Sequence, residues 1–350
     1  MRLRPVSRSI AEAIELPRVV RLGENLYAAA FPLMKLLPAR FMLDRAREAG
    51  RVGPGSAIFE TTSGTFGLAL AILAALRGYR LTIVSDPAID DPLKRRLEDL
   101  GARVEIVREP AAVGGFQRAR LDRMAQLRAE HPDHFWPAQY DNPDNPGAYA
   151  PLVELLTETL GQIDCLVGTV GSGGSMCGSA SYLRLAFPDL RAVGVDTPGS
   201  VLFGQPDRKR LLRGLGNSVM PRNLDHTVFD EVHWVGAAGA FLATRVLHRR
   251  HALFMGGTSG AAYLVADWWA RRHRDATVVA LLPDEGYRYQ DTVYSDAWLR
   301  DRDMLLSELP TEPRLVAHPA DARPEWSRFL WGGRTYQQVL GGAFHEGRGR

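Results

Sequence analysis

Short runs of β-branched and other apolar residues alternate with longer helical segments along most of the chain. These runs predict strands at 56–60, 81–86, 103–107, 164–170, 191–197, 231–236 and 277–284. Helical spacing lies between them, for example at 66–79 and 92–101. Strands that alternate with helices favour parallel sheets with helices packed on their faces. The predicted fold class is therefore α/β.

The alternation falls into two blocks, joined by a stretch at 138–151 that is dense in proline, asparagine and glycine. Such a composition is typical of a connection between elements. We expect a small, mobile domain at 38–150 and a large domain formed by 1–37 together with 151–310. The remaining residues, 311–350, lose clear periodicity and are predicted to form a C-terminal tail that packs on the body or on a partner.

Composition argues against several classes of protein. The net charge is only +3 over 350 residues, and the arginine clusters at 248–251 and 271–274 fall in helical segments. We interpret those clusters as solvated helix faces, so neither nucleic acid nor a membrane is expected as a partner. The chain has two cysteines, Cys165 and Cys177, and no apolar run of membrane-spanning length. These features favour a cytoplasmic location.

A glycine-rich segment follows the predicted strand at 164–170 and precedes a helical segment. It reads Gly171, Ser172, Gly173, Gly174 and Ser175. Glycines let a backbone approach an anion closely, and hydroxyls and helix N-terminal N–H groups donate hydrogen bonds to it. No lysine follows, so the nucleotide-binding P-loop pattern fails. The segment predicts either a phosphate site or an ordinary tight connection between strand and helix.

Three further loops have the same setting between a strand and a helix or turn. They read ETTSGTFG at 60–67, GGTSGAA at 256–262 and LPDEGYRY at 282–289. In the first loop, Thr62, Ser63 and free N–H groups at a helix start suit a carboxylate. Plain N-capping by Ser63 or Thr65 explains the same residues without a ligand.

The four motifs, taken in order and with their spacing, resemble the cysteine synthase family of pyridoxal-phosphate enzymes. That family has a TSGN-x-G carboxylate loop, a GTGGT-like phosphate loop, G-x-S-[SA]-G and D-x-G-x-R-Y. The corresponding segments here are TSGTFG, GSGGS, GGTSG and DEGYRY, and the resemblance covers about residues 16–300. It implies two three-layer parallel-sheet domains of the tryptophan-synthase-β type (fold type II), pyridoxal 5′-phosphate as cofactor, and a homodimer.

The resemblance also implies a role for Lys35, which stands three residues before Pro-Ala, as the family's Schiff-base lysine does. The only other lysines, Lys94 and Lys209, lie in charged runs and are expected to be solvated. The alternative for Lys35 is a stem lying over apolar surface with its charged head in water. The Asp-Arg pair that follows the family lysine is replaced here by Leu36 and Leu37.

Other site residues are carried over from the family's motifs. Residues 171–175 would hold the cofactor's phosphate, Thr65 takes the place of the asparagine at the cofactor's phenolic oxygen, and Thr258 would face the pyridine nitrogen. Thr62, Ser63 and Gly64 would hold the substrate carboxylate. A hydroxyl at the pyridine nitrogen suits β-elimination and β-replacement more than a long-lived carbanion.

Longer segments at 85–121, 139–142, 193–204 and 214–225 are similar to one branch of the family. Its members join O-phospho-L-serine to L-glutamate, giving N-(2-amino-2-carboxyethyl)-L-glutamate for the supply of 2,3-diaminopropionate. The resemblance implies amino-acid substrates, with Arg120 on the substrate phosphate and Tyr140 lining the site. Arginine's planar fork suits phosphate, although Arg120 alone could also be an exposed helix residue.

Two other functions stay open from the sequence. The first is a sulfhydrylase of the cysteine synthase type, which uses O-phosphoserine or O-acetylserine with a thiol acceptor. The second is a non-catalytic relative that serves as a binding subunit, for which Leu36, Leu37 and Thr65 are the motivating departures.

Overall fold

One mainly parallel sheet and one wholly parallel sheet, each with helices on both faces, make up the computed structural model, which describes residues 6–112, 115–212 and 214–341. The strands are β1 (Arg18–Arg21), β2 (Leu26–Ala30), β3 (Ala57–Thr61), β4 (Arg80–Ser85), β5 (Arg103–Ile106), β6 (His134–Phe135), β7 (Cys165–Thr169), β8 (Arg191–Asp196), β9 (Glu231–Val235), β10 (Val278–Leu282), β11 (Arg314–Leu315) and β12 (Trp326–Leu330). The α/β class predicted from the alternating runs is confirmed.

Twelve α-helices are found in the described residues. They are α1 (Ile10–Ile14), α2 (Leu36–Glu48), α3 (Thr65–Arg77), α4 (Asp91–Asp99), α5 (Gly115–Glu130), α6 (Asp144–Gly147), α7 (Ala150–Leu160), α8 (Gly174–Ala186), α9 (Ala237–His251), α10 (Gly257–Arg272), α11 (Asp296–Arg300) and α12 (Tyr336–Leu340). Three of the longer ones, α3, α8 and α10, begin within a few residues of a loop singled out from the sequence. The glycine- and hydroxyl-rich loops therefore open helices, as predicted.

The larger sheet has the strand order β1-β2-β10-β7-β8-β9-β12-β11. Its inner strands from β2 to β9 pair in parallel, whereas β1 and β12 pair antiparallel with β2 and β9. Along β10, Val278, Ala280 and Leu282 face the core shared with α9 and α10. Val279 and Leu281 face the core shared with α7 and α8. Alternate residues of one strand point to opposite faces, so this all-apolar strand needs helices on both sides.

The smaller sheet has the order β5-β4-β3-β6, with every pair parallel. Ile58 packs with α2 and α3 on one face, while Phe59 packs with Met124 and Leu127 of α5 on the other. This sheet lies inside the predicted 38–150 domain. The segment predicted as a tail contributes β11 and β12 to the larger sheet, and its residues 342–350 lie outside the described part. The domain division itself stays a prediction.

No helix among the described residues combines the length and the apolar character needed to cross a membrane.

Candidate active site

One cleft collects the loops that follow the carboxyl ends of strands from both sheets. Loop residues after β3, β7 and β10 line it together with residues of α3, α5 and α10. Open α/β sheets bind ligands at these strand ends, where loops lead into helix N-termini. The position of this cleft in the fold is therefore typical of a ligand-binding or catalytic site.

Lys35 reaches this cleft from the start of α2. The Met34 N–H donates to the Pro283 carbonyl oxygen at 2.8 Å, which ties the segment to the loop after β10. Lys35 is half-buried, and its Nζ lies 3.4 Å from Ser172 Oγ. Burial disfavours the ammonium form and lowers the pKa of Lys35 to about 8. The neutral amine is therefore far more populated near physiological pH than in a solvated lysine. Leu36 and Leu37, buried behind it, pack in the core instead of forming an ion pair.

The glycine-rich loop 171–175 packs so tightly that side chains are excluded at two positions. A Cβ on Gly173, whose φ is +83°, would lie 2.7 Å from the Asn223 carbonyl oxygen. A Cβ on Gly174 would lie 2.2 Å from Asn145 Oδ1. Ser172 and Ser175 are buried and line the cleft. The loop therefore presents hydroxyls and the N-terminus of α8 to the cleft, the donor set that an anion requires.

Replacing Gly173 by alanine is expected to destabilise the protein by about 3 kcal/mol. The cost of placing alanine in a left-handed backbone conformation adds to the cost of its clash with backbone atoms. Gly55 is the matched control, since its φ is +82° but nothing lies within 4 Å of its Cβ position. Gly55→Ala is expected to cost about 1 kcal/mol, the backbone contribution alone. Urea unfolding of both variants measures the difference, and equal costs would contradict the packing argument.

The loop between β3 and α3 is closed on itself and tied to the larger sheet. Thr62 Oγ1 accepts from the Gly64 N–H at 3.1 Å, and the Ser63 carbonyl oxygen accepts from Arg288 Nη2 at 3.1 Å. Gly64 precedes the first turn of α3 without a side-chain cap. Thr65 is the first residue of α3 and lines the cleft with its neighbours. This helix start offers its dipole to an anion.

Arg120 enters the cleft from α5, where it forms one buried stripe with Met124 and Leu127. Its Nε lies 3.3 Å from Asp86 Oδ2, and both side chains are buried. The apolar members of the stripe fix which side of α5 faces the sheet, so Arg120 is directed inward by packing. Tyr140 lines the same region, and burial raises the pKa of its hydroxyl. The alternative of an exposed helix arginine is therefore wrong.

Thr258 lies on the far side of the cleft, buried in the first turn of α10. The structure thus brings most of the predicted site residues into one lining. These are Lys35, Thr62, Ser63, Gly64, Thr65, Arg120, Tyr140, Gly171, Ser172, Ser175 and Thr258. Gly173 and Gly174 form the turn at the start of α8. What each residue does there stays a prediction.

Several cleft residues were not assigned from the sequence. The Tyr289 hydroxyl donates to Asp284 Oδ2 at 2.6 Å, and burial raises the pKa of Asp284 to about 6. Arg288 pairs with Asp90, the N-cap of α4, and so joins the two sheets across the cleft. Asp284, Arg288 and Tyr289 all lie in the DEGYRY motif. The order of the four motifs indicated the family, but it did not predict that these three side chains line the cleft. Asn217 and Gln139 also line the cleft, and they lie in the segments 214–225 and 139–142 that resemble one branch of the family.

A family model described as pyridoxal-phosphate dependent enzyme matches residues 34–284. The chain belongs to this family, and the resemblance drawn from the four motifs is confirmed. It is an enzyme that uses pyridoxal phosphate, as predicted.

Two curated relatives are similar over most of their length. The N-(2-amino-2-carboxyethyl)-L-glutamate synthase of Cupriavidus metallidurans is 36% identical over 334 residues, covering 89% of this chain and 98% of the relative. The synthase of the same name from Ralstonia nicotianae is 35% identical over 309 residues, covering 84% and 91%. The predicted branch of the family is thus represented among its relatives.

Solved structures match the fold. An O-acetylserine-dependent cystathionine β-synthase from Helicobacter pylori is 25% identical with a TM-score of 0.76, covering 83% of this chain and 100% of that one. An O-ureido-L-serine synthase is 27% identical with a TM-score of 0.73, covering 85% and 100%. The predicted fold type II architecture is confirmed.

The residues present fit the cofactor. Pyridoxal phosphate needs a phosphate cradle and a nearby amine for its aldehyde. The loop at 171–175 admits no side chain at its two central glycines, and its buried Ser172 hydroxyl lies 3.4 Å from Lys35 Nζ. The tight glycine loop meets the need for a phosphate cradle. Lys35, whose pKa is lowered, supplies the amine at the edge of that loop.

Proposed function

We propose that this enzyme joins O-phospho-L-serine and L-glutamate, forming N-(2-amino-2-carboxyethyl)-L-glutamate and releasing phosphate. The observation that carries the proposal is Arg120, buried on α5 and directed into the cleft beside Asp86. A buried guanidinium that lines the cleft suits an amino-acid substrate whose leaving group is a phosphate dianion. The near full-length similarity to two synthases of that name supports the same conclusion.

The residues proposed to hold the cofactor come from three elements. Ser172, Ser175 and the N–H groups at the start of α8 would bind its phosphate, while Thr258 and Thr65 would face the pyridine nitrogen and the phenolic oxygen. When bound, pyridoxal phosphate supplies an electron sink for negative charge at the substrate's Cα. The hydroxyl of Thr258 is neutral, so it would leave the pyridine nitrogen unprotonated. That setting favours rapid loss of a group from Cβ.

Lys35 is proposed to carry the cofactor covalently and then to act as the base. Once substrate has displaced it, its neutral amine would take the proton from the substrate's Cα and return a proton there after the acceptor has added to Cβ. Burial, which lowers the pKa of Lys35 to about 8, keeps enough of the amine neutral for this work.

Uptake of pyridoxal phosphate by the cofactor-free enzyme is expected to accelerate with rising pH and to level off above about 8. The ammonium form, which prevails below that pKa, cannot add to an aldehyde, so the rate should fall about tenfold per pH unit on the acid side. Stopped-flow absorbance across pH 6 to 10 measures this profile. A rate that still climbs steeply near pH 10 would contradict the lowered pKa.

The donor is proposed to lie between the loop at 62–64 and Arg120. Thr62, Ser63 and Gly64, at the N-terminus of α3, would bind its carboxylate. Arg120 would bind its phosphate, and Tyr140 would line the same end. Arg288 donates to Asp90 and to the Ser63 carbonyl oxygen, which links the loop after β10 to the smaller sheet. This link would help to exclude water from the cleft.

The test is to incubate the loaded enzyme with O-phosphoserine and α-¹⁵N-glutamate while phosphate release and product mass are followed together. The proposal expects equimolar phosphate and a product that retains the ¹⁵N label in its new secondary amine. Supplying sulfide instead tests the sulfhydrylase alternative. Phosphate release with sulfide but not with glutamate would overturn the proposed acceptor. Binding of both compounds without any turnover would favour a non-catalytic binding subunit.

We further propose that the enzyme is a cytoplasmic homodimer, following the family resemblance. Both cysteines are buried free thiols, which suits a reducing compartment. Light scattering at micromolar concentration should give the mass of two chains. The mass of a single chain would contradict the dimer.

A further inference from the structure

Glu60 is a buried acid directly behind the cleft that the proposed mechanism does not use. It lies on β3, is 1% exposed, and precedes the loop proposed to hold the donor carboxylate. Its Oε1 accepts from the Thr61 N–H at 2.7 Å and from Trp136 Nε1 at 3.1 Å. Its Oε2 accepts from the Gln139 N–H at 3.4 Å. One carboxylate therefore fastens the β3 loop to the segment 136–140.

The far side of that segment is fastened to the phosphate cradle. The Gln139 carbonyl oxygen accepts from Asn145 Nδ2 at 2.6 Å and from Asn223 Nδ2 at 3.0 Å. Asn145 Nδ2 also lies 3.4 Å from Ser172 Oγ. The segment carrying Gln139 and Tyr140 is thus held between Glu60 on one side and the cradle on the other. Glu60 therefore accepts from the backbone N–H of the residue that precedes Tyr140.

Keeping a carboxylate in this place costs free energy. Burial raises the pKa of Glu60 to about 7, against the effect of its N–H donors, which favour the ionised form. Arg120, Asp86 and Glu60 all act electrostatically on the Tyr140 hydroxyl, which lies in the same region. An apolar residue would avoid this desolvation, so a buried carboxylate surrounded by N–H donors indicates a role beyond packing.

We infer that Glu60 is a positioning residue that sets the spacing between the donor-carboxylate loop and Tyr140, and so fits the cleft to a donor of phosphoserine length. The inference rests on the proposed function and deepens it. Glu60 is not among the residues that line the cleft, so its proposed role is indirect. It acts through Trp136 and Gln139.

The test compares Glu60→Gln with the wild-type enzyme. The glutamine keeps one oxygen for Thr61 and Trp136 but turns an NH₂ group toward the Gln139 N–H, so one donor faces another. The KM for O-phosphoserine should rise about tenfold, the equivalent of one hydrogen bond, while kcat changes less than about threefold. Glu105→Gln is the matched control, since Glu105 pairs with Arg123 and does not line the cleft. Its KM should stay at the wild-type value.

Trp136→Phe removes a different donor to the same carboxylate without touching the cleft lining. It should raise the KM in the same direction, and the double variant should show less than the product of the two effects. It also carries the test if Glu60→Gln fails to fold. An unchanged KM in both variants, fully multiplicative effects, or a loss confined to kcat would overturn the inference. A wild-type enzyme that does not consume O-phosphoserine would instead overturn the proposed function.

Discussion

Replacing Lys35 by alanine is expected to abolish covalent retention of the cofactor and to lower kcat by at least about 10³-fold. The variant loses both the amine that bonds the aldehyde and the base proposed to move the Cα proton. Lys35 packs at the start of α2, and its loss leaves no buried charge behind. The fold should therefore survive, and gel filtration with circular dichroism checks that it does. Phosphate release from O-phosphoserine measures the activity.

The chain supplies two matched controls for this experiment. Lys94 pairs with Glu98 at 3.2 Å on the outer face of α4, and Lys209 is exposed. Neither lysine lines the cleft, so Lys94→Ala and Lys209→Ala should retain the cofactor and full activity. Retention of activity by Lys35→Ala, or loss of covalent cofactor in a control variant, would contradict the assignment.

Replacing Arg120 by lysine is expected to lower kcat/KM for O-phosphoserine by about 10- to 100-fold. Lysine keeps the positive charge beside Asp86 but loses the planar fork that binds two phosphate oxygens at once. Alanine is the poorer choice, because it would leave Asp86 buried without its partner and destabilise the small sheet. Initial rates at varied O-phosphoserine and saturating glutamate measure the effect.

Arg123→Lys is the matched control on the same helix. Arg123 pairs with Glu105 and Glu130 away from the cleft, so its replacement should leave kcat/KM unchanged. The KM for glutamate should also be unchanged in Arg120→Lys, since Arg120 is proposed to contact the donor only. Equal losses in both variants, or no loss in Arg120→Lys, would contradict the role of Arg120 in binding the phosphate.

The inner strands could be predicted from the sequence because burial on both faces requires continuous apolar runs. The runs at 164–170 and 277–284 become β7 and β10. Other strands were missed for identifiable reasons. β2 is alanine-rich and lacks the β-branched residues that indicate strands, although Ala28, Ala29 and Ala30 are fully buried. β12 lies at 326–330, where charged and aromatic residues hide its alternation, and tertiary pairing with β9 establishes it.

The candidate site was predictable as far as its loops, because a glycine turn or a helix start is a local property. The pairing of Arg120 with Asp86 depends on how α5 packs against β4, so it cannot be predicted from either segment alone. The same holds for Glu60, whose partners Trp136 and Gln139 are far along the chain. Contacts between distant segments follow from the fold, so they emerge only with the structure.

The most direct test of the central claim is to find which side chain carries the cofactor. The loaded enzyme is reduced with borohydride, digested with trypsin, and its peptides are analysed by mass spectrometry. A modified Lys35 resists cleavage, so the account predicts one peptide spanning 22–40 that carries the pyridoxyl phosphate mass. That mass on a peptide containing Lys94 or Lys209, with cleavage after Lys35 intact, would contradict it.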